Sequence, residues 1–228
     1  MLKVGVSLPR PSRVEDLMAV ELLSGAPQLP RSRVLSQWRG QISEGTDAVL
    51  CAPRSFVDPG PDDILEAPFF PFDRAMEAWN RINAARTALG SSVVLLRTGA
   101  RFRPTDRNRQ LLMDFGLAIA QPDVKVAWAP SGLWDPDMVQ DVAASASLFV
   151  ARDPVAAGSF DSVSDWQYVR IMGLGRARLG RGDLELLAEM IQDSGDGVCI
   201  LATGDERSDR RQAQRLLEMV QDDEPEPG

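Results

Sequence analysis

The sequence predicts an eight-stranded (β/α)8 barrel of the TIM type, and three observations predict it. Short, β-branched apolar runs alternate with segments of helical periodicity; eight such runs occur; and runs such as Val93-Val94-Leu95-Leu96 are apolar at every position rather than at every second one. A strand without polar alternation is covered on both faces, the condition of a parallel sheet wrapped in helices. Eight strands in alternation with helices favour closure over an open doubly wound sheet. An open sheet of about six strands is the competing architecture.

The candidate strands are 3–8, 18–22, 47–52, 92–97, 124–128, 147–152, 167–171 and 198–202. Helices read at 31–39, 73–89, 106–120, 135–145, 182–192 and 207–220. The helix at 73–89 is the clearest. Asp73 is placed to cap it, Met76, Trp79, Ile82 and Ala85 recur at three- to four-residue spacing, and Gly90 offers a left-handed C-cap. Asp135-Pro136 opens another helix by the same logic. The connections at 9–16 and 154–165 are too short, or too rich in Ser, Gly and Asp, for full helices, so some outer helices are expected to be shortened. A barrel of 228 residues is compact for its class. The stretch 56–71, with its prolines and repeated Asp, reads as an irregular insert. The glycines of Gly173-Leu174-Gly175 and Gly180-Arg181-Gly182 lack dinucleotide-binding spacing and read as a flexible loop. One domain is expected over 1–220, followed by an acidic tail at 221–228, QDDEPEPG, expected to be disordered.

Composition narrows the chemistry. The chain contains no histidine, the usual general base at neutral pH and the commonest metal ligand. Serine triads, cysteine–histidine pairs and most zinc or iron sites are thereby excluded, and neither a metal nor a cofactor is expected. Oxygen ligands suffice for magnesium, but Asp62-Asp63 and Asp222-Asp223-Glu224 read as solvated loop acids. The net charge of −8 argues against nonspecific nucleic-acid binding. Cys51 and Cys199 sit in apolar runs and read as reduced, buried thiols. No segment approaches the ~20 apolar residues of a membrane span, and the first residues lack the apolar stretch of a signal peptide. No membrane association and a cytoplasmic location are expected. The run RSDRRQAQR at 207–215 reads as one exposed face of an amphipathic helix.

In a parallel barrel the residues at the C-terminal ends of the strands converge on one mouth, where active sites of this fold lie. The positions there are Ser7, Glu21, Arg54, Arg97, Trp128 with Ser131, Arg152 with Asp153, Arg170, and Thr203 with Asp205. Guanidinium groups bind phosphate or carboxylate in bidentate fashion, so an anionic ligand is one reading of Arg54, Arg97, Arg152 and Arg170 together with Asp205 and Trp128. Pairing of these arginines with the neighbouring carboxylates to close the barrel is the other.

The strand ends also resemble the YecE-like family, the domain of unknown function 72, whose members form TIM-type barrels. The resemblance rests on Val20-Glu21, Cys51-Ala52-Pro53-Arg54, Trp79 with Ala88-Leu89-Gly90 and Val93-Val94, then Thr98 and Phe102-Arg103-Pro104-Thr105 with Asn108. It continues through Ala127-Trp128-Ala129-Pro130-Ser131-Gly132 with Trp134, Asp153-Pro154, and Tyr168-Val169-Arg170-Ile171-Met172-Gly173. The departures fall at the mouth. Cys51, Arg97, Gly99, Ala129, Ser131, Met172 and Thr203 stand where the family pattern carries other, mostly polar, residues, and its Thr-His after strand three is replaced around Val57-Asp58. Glu21, Asp153 and Arg170 still match.

The resemblance implies a barrel whose mouth has diverged, a degenerate active site if the ancestral one was catalytic. The reading favoured is a noncatalytic or weakly catalytic protein that binds a small anion. The alternatives are a metal-independent hydrolase or lyase using Glu21 and Asp153 as acid and base, and a module that contacts a protein partner.

Overall fold

The structure, a computed structural model, describes residues 1–11, 16–60, 65, 67–158, 165–175 and 178–222. Eight parallel strands form a closed barrel in chain order: β1 (Leu2–Leu8), β2 (Ala19–Leu22), β3 (Asp47–Cys51), β4 (Val93–Arg97), β5 (Lys125–Ala129), β6 (Phe149–Arg152), β7 (Trp166–Ile171) and β8 (Asp196–Leu201). Closure is made by β8 on β1, with Leu2 opposite Gly197 and Val6 opposite Leu201. That pairing removes any open edge and rules out the six-stranded open sheet.

The helices are α1 (Ser32–Arg39), α2 (Arg54–Val57), α3 (Phe72–Leu89), α4 (Asp106–Ile119), α5 (Pro136–Ser145), α6 (Pro154–Ala157), α7 (Arg181–Asp193) and α8 (Glu206–Asp222). Each strand read from the sequence is present within about two residues. The sixth connection is indeed abbreviated: α6 is four residues long, and β6 beside it is only half-buried. No helix occurs between β1 and β2 among the described residues. The acids Asp62, Asp63, Asp223 and Glu224, and the tail from 223 onward, lie outside the described residues.

Helix ends follow local chemistry, with two corrections. Gly90 adopts φ 70° and ψ 30°, and its N–H and that of Ser91 close α3 back onto Thr87 and Arg86. Asp135 caps α5, its Oδ1 accepting from the N–H groups of Asp137 and Met138, and Thr105 caps α4 by accepting from Asn108. Asp73, expected to cap α3, instead lies inside the first turn behind Pro71, with no side-chain cap bond. There its charge acts on the helix dipole. Gly180-Arg181-Gly182 is not a loop but the start of α7, with the Gly180 N–H donating to Asp183.

Two apolar layers follow from the pleat. Inside the barrel lie Ala19, Val49, Cys51, Val93, Leu95, Ala127, Tyr168, Val198 and Ile200; between sheet and helices lie Val4, Val6, Val20, Leu50, Leu96, Trp128 and their partners. The outer layer contains an aromatic group in which Phe69 stacks on Phe115 at 4.8 Å and Phe56, Trp79 and Phe102 meet them edge-on or tilted. α4 and α5 meet closely at Gly116, where an added Cβ would lie 2.2 Å from the Ala146 carbonyl oxygen.

Candidate functional site

The pleat directs Glu21, Arg97 and Arg170 toward the barrel axis, each two residues beyond an interior position of its own strand; Cys51 and Tyr168 are interior themselves, and Ser7 lies level with Glu21 on the neighbouring strand. The pairing of β1 with β2 sets Ser7 opposite Glu21. Glu21, fully buried, accepts from Ser7 Oγ at 2.6 Å and from Tyr168 OH at 2.8 Å. Arg170 holds it at two points, Nε to Oε2 at 2.8 Å and Nη2 to Oε1 at 3.0 Å. Every strong acceptor direction of the carboxylate is thus engaged.

The electrostatics follow from this packing. Burial by itself raises the Glu21 pKa, but the charge of Arg170 and the hydrogen bonds from Arg170, Ser7 and Tyr168 outweigh it and bring it to about 2. Burial works against the charge of Arg170, and the adjacent carboxylate overcomes it, holding the guanidinium protonated. Burial and then the charge of Glu21 push the Tyr168 hydroxyl and the Cys51 thiol upward. Glu21 is therefore a permanent anion across the neutral range, whereas a general base needs a pKa near the working pH.

A second guanidinium joins the cluster from β4. Arg97 Nη1 donates to Ser24 Oγ at 2.9 Å, and Arg170 Nη2 donates to the same oxygen at 3.1 Å. Arg97 makes no ion pair among the described residues. Two guanidinium groups with one carboxylate leave this cluster one positive charge in excess. Arg170 Nη1 also contacts Met172 Sδ, and Met172 is 44% exposed at the rim.

The other expected mouth residues take different positions. Asp153 is a cap: its Oδ1 accepts from Ala156 N–H and its Oδ2 from Met172 N–H at 2.7 Å, tying the start of α6 to the end of β7. Asp205 accepts from Ser208 N–H at the start of α8. Arg54 is exposed at the first position of α2. Arg152 lies on the outer side of the sheet, lining a small cavity of about 190 Å³ with Gln140 and Val169, because it is the interior-facing Ala151 that precedes it.

Trp128 does not line the mouth. It is fully buried behind the sheet, with Nε1 donating to Thr98 and its ring edge-on to Trp134 at 4.8 Å. Thr203 is engaged by Asp209, which accepts from its N–H and from its hydroxyl at 2.6 Å. Ser131 is exposed.

The mouth positions read from the sequence did not include Ser24 or Tyr168. Tyr168 was legible in principle, two residues before Arg170 and so on the same face of β7. Ser24 lies two residues past the end of β2 in a turn where Leu23 and Gly25 have positive φ, and no periodicity marks it. Among the described residues no group of three or more Cys, Asp and Glu side chains is arranged to hold a metal ion. No helix among them is long and apolar enough to cross a membrane.

No protein-family model matches the chain, and no curated protein matches it. Solved structures do. The chain superposes on a DUF72 family protein of Enterococcus faecalis V583 with a TM-score of 0.71 at 12% identity, over 97% of this chain and 96% of that one. A DUF72 family protein of Thermotoga maritima MSB8 gives 0.67 at 14% identity, over 97% and 99%. A D-tagatose 3-epimerase-like protein gives 0.66 at 16%, over 97% and 99%. The likeness to DUF72 proteins extends over nearly the full length and is one of fold.

Proposed function

We propose that this DUF72-like barrel binds a small oxyanion, a phosphate or carboxylate group of a compact metabolite, between Arg97 and Arg170 at its C-terminal mouth. The observation that carries the reading is that both guanidinium groups donate to the single hydroxyl oxygen of Ser24. A neutral hydroxyl is a modest acceptor for two cations, and an oxyanion in reach of both forms shorter and stronger charge-assisted bonds. Glu21 neutralises Arg170 and orients it, and the excess charge stays with Arg97. The resemblance in fold to a protein described as D-tagatose 3-epimerase-like supports a polyhydroxylated ligand body, such as a sugar acid or sugar phosphate.

Catalysis by Glu21 and Asp153 has less support. Glu21 is saturated by four donors and ionised, and Asp153 spends both oxygens on backbone N–H groups.

The test is thermal unfolding at pH 7 in phosphate, sulfate and sugar phosphates, with wild-type protein and Arg97→Ala. A ligand at one hundred times its dissociation constant stabilises by roughly 2.7 kcal/mol, a rise of about 5 to 11 °C in a chain of this size. The expected result is a saturable rise in the wild type that Arg97→Ala removes. A wild-type melting temperature indifferent to all three anions at tens of millimolar overturns the reading and favours a protein-contact role.

A further inference from the structure

On the outer side of the barrel, with none of Ser24, Arg97 and Arg170 in its lining, a cavity of about 610 Å³ opens between α1, α2 and α3. Small-molecule sites have volumes of roughly 300 to 1,000 Å³. Its floor is apolar: Phe56, Leu65, Ile82 and Ala85 line it and are each at most 4% exposed. Three alanines of α3, Ala78, Ala84 and Ala85, form part of its wall. Two exposed arginines, Arg31 and Arg81, stand among the lining residues.

The charge balance of the cavity is one-sided. Among the described residues no carboxylate lines it and neither arginine forms an ion pair. This occurs in a chain whose net charge is −8. Arg31 further occupies the N-cap of α1, which has no side-chain cap and no acidic residue in its first turn, so the positive end of that helix adds to the arginine charge.

We propose that this cavity is a binding site for an amphipathic carboxylate, a medium-chain or aryl carboxylic acid whose apolar body lies on Phe56, Leu65 and Ile82 and whose carboxylate meets Arg31 and Arg81. An apolar floor rewards a chain of methylenes, each contributing close to a fourfold gain in affinity when it leaves water. The two arginines favour a negative head group, and a guanidinium fork fits a carboxylate at two points. None of its lining residues belongs to the Ser24, Arg97 and Arg170 cluster, and its occupancy does not depend on the oxyanion reading.

The experiment is calorimetric titration of the full chain with hexanoate, octanoate and decanoate below micellar concentration, and with decanol as the uncharged control. The expected result is one site per chain, tightening roughly fourfold per methylene, with decanol at least tenfold weaker than decanoate. Arg31→Ala combined with Arg81→Ala changes exposed side chains only, and should bring decanoate to the level of decanol at unchanged melting temperature. Ala84→Phe, at an exposed lining position of α3, should abolish both, while Arg97→Ala should leave both intact. No binding at millimolar octanoate, equal affinity for acid and alcohol, or binding that survives Ala84→Phe overturns the proposal. An acidic leucine-rich peptide that binds and cannot be displaced by octanoate overturns it as well, and assigns the cavity to a protein partner.

Discussion

Glu21 and Arg170 face each other across the inside of the barrel from β2 and β7, joined by two hydrogen bonds of 2.8 and 3.0 Å with almost no contact with solvent. The pair bridges strands that are not neighbours in the sheet. It therefore braces the barrel across its interior while presenting Arg170 to Ser24.

Removal of one partner leaves the other charge buried and uncompensated. Glu21→Gln or Arg170→Ala is expected to lower the free energy of unfolding by about 3 to 5 kcal/mol, and joint replacement by Leu and Met to restore much of it. Urea unfolding of the three variants checks this; a single-variant loss below about 1 kcal/mol contradicts a buried, coupled pair.

The same pair sets an acid limit. The Glu21 pKa falls from 4.5 to about 2 on folding, so the folded state favours the ionised form. Its stabilisation is complete above pH 4.5 and is lost as the pH falls through 2, with a total of about 3 kcal/mol. Stability measured from pH 6 down to 2 should fall steeply in the wild type. In Glu21→Gln the slope over the same window should be smaller, and an unchanged slope would assign acid sensitivity to other carboxylates.

Ser24→Asp places a carboxylate where two guanidinium groups already point. Stability should rise by about 1.5 to 3 kcal/mol, the scale of hydrogen bonds to charged groups, and the response to phosphate should vanish because the variant carries its own anion. A destabilised Ser24→Asp protein that still responds to phosphate would place the oxyanion elsewhere.

Neither thiol should react in the folded protein. Cys51 and Cys199 are buried; burial with the charge of Glu21 raises the first, and burial with the charge of Asp153 pushes the second up to about 12. Only the thiolate is nucleophilic. Titration with an aromatic disulfide at pH 8 should show no fast phase, and two thiols per chain only at the rate of unfolding. A rapid single equivalent would mean that the barrel interior opens readily.

Much of the architecture was legible because its determinants are local. Val93-Val94-Leu95-Leu96 became β4, Gly90 closed α3 and Asp135-Pro136 opened α5, each through contacts within a few residues. The carboxylates were harder. Asp153 and Asp205 look like mouth acids in the sequence and serve as helix caps in the structure, because an acid after a strand and before a helix occupies both descriptions at once.

The sequence by itself determined the strand–helix alternation, the number of strands and the nearness of Glu21, Arg97 and Arg170 to strand ends. Only the tertiary structure decided which side chains enter the barrel. In an amphipathic strand the polar residues announce the outer face, but strands apolar on both faces carry no such mark. Trp128 and Arg97, both at the ends of apolar runs, consequently read alike in the sequence. Closure of β8 onto β1 settles the matter: it sends Trp128 outward to Trp134 and Arg97 inward to Ser24.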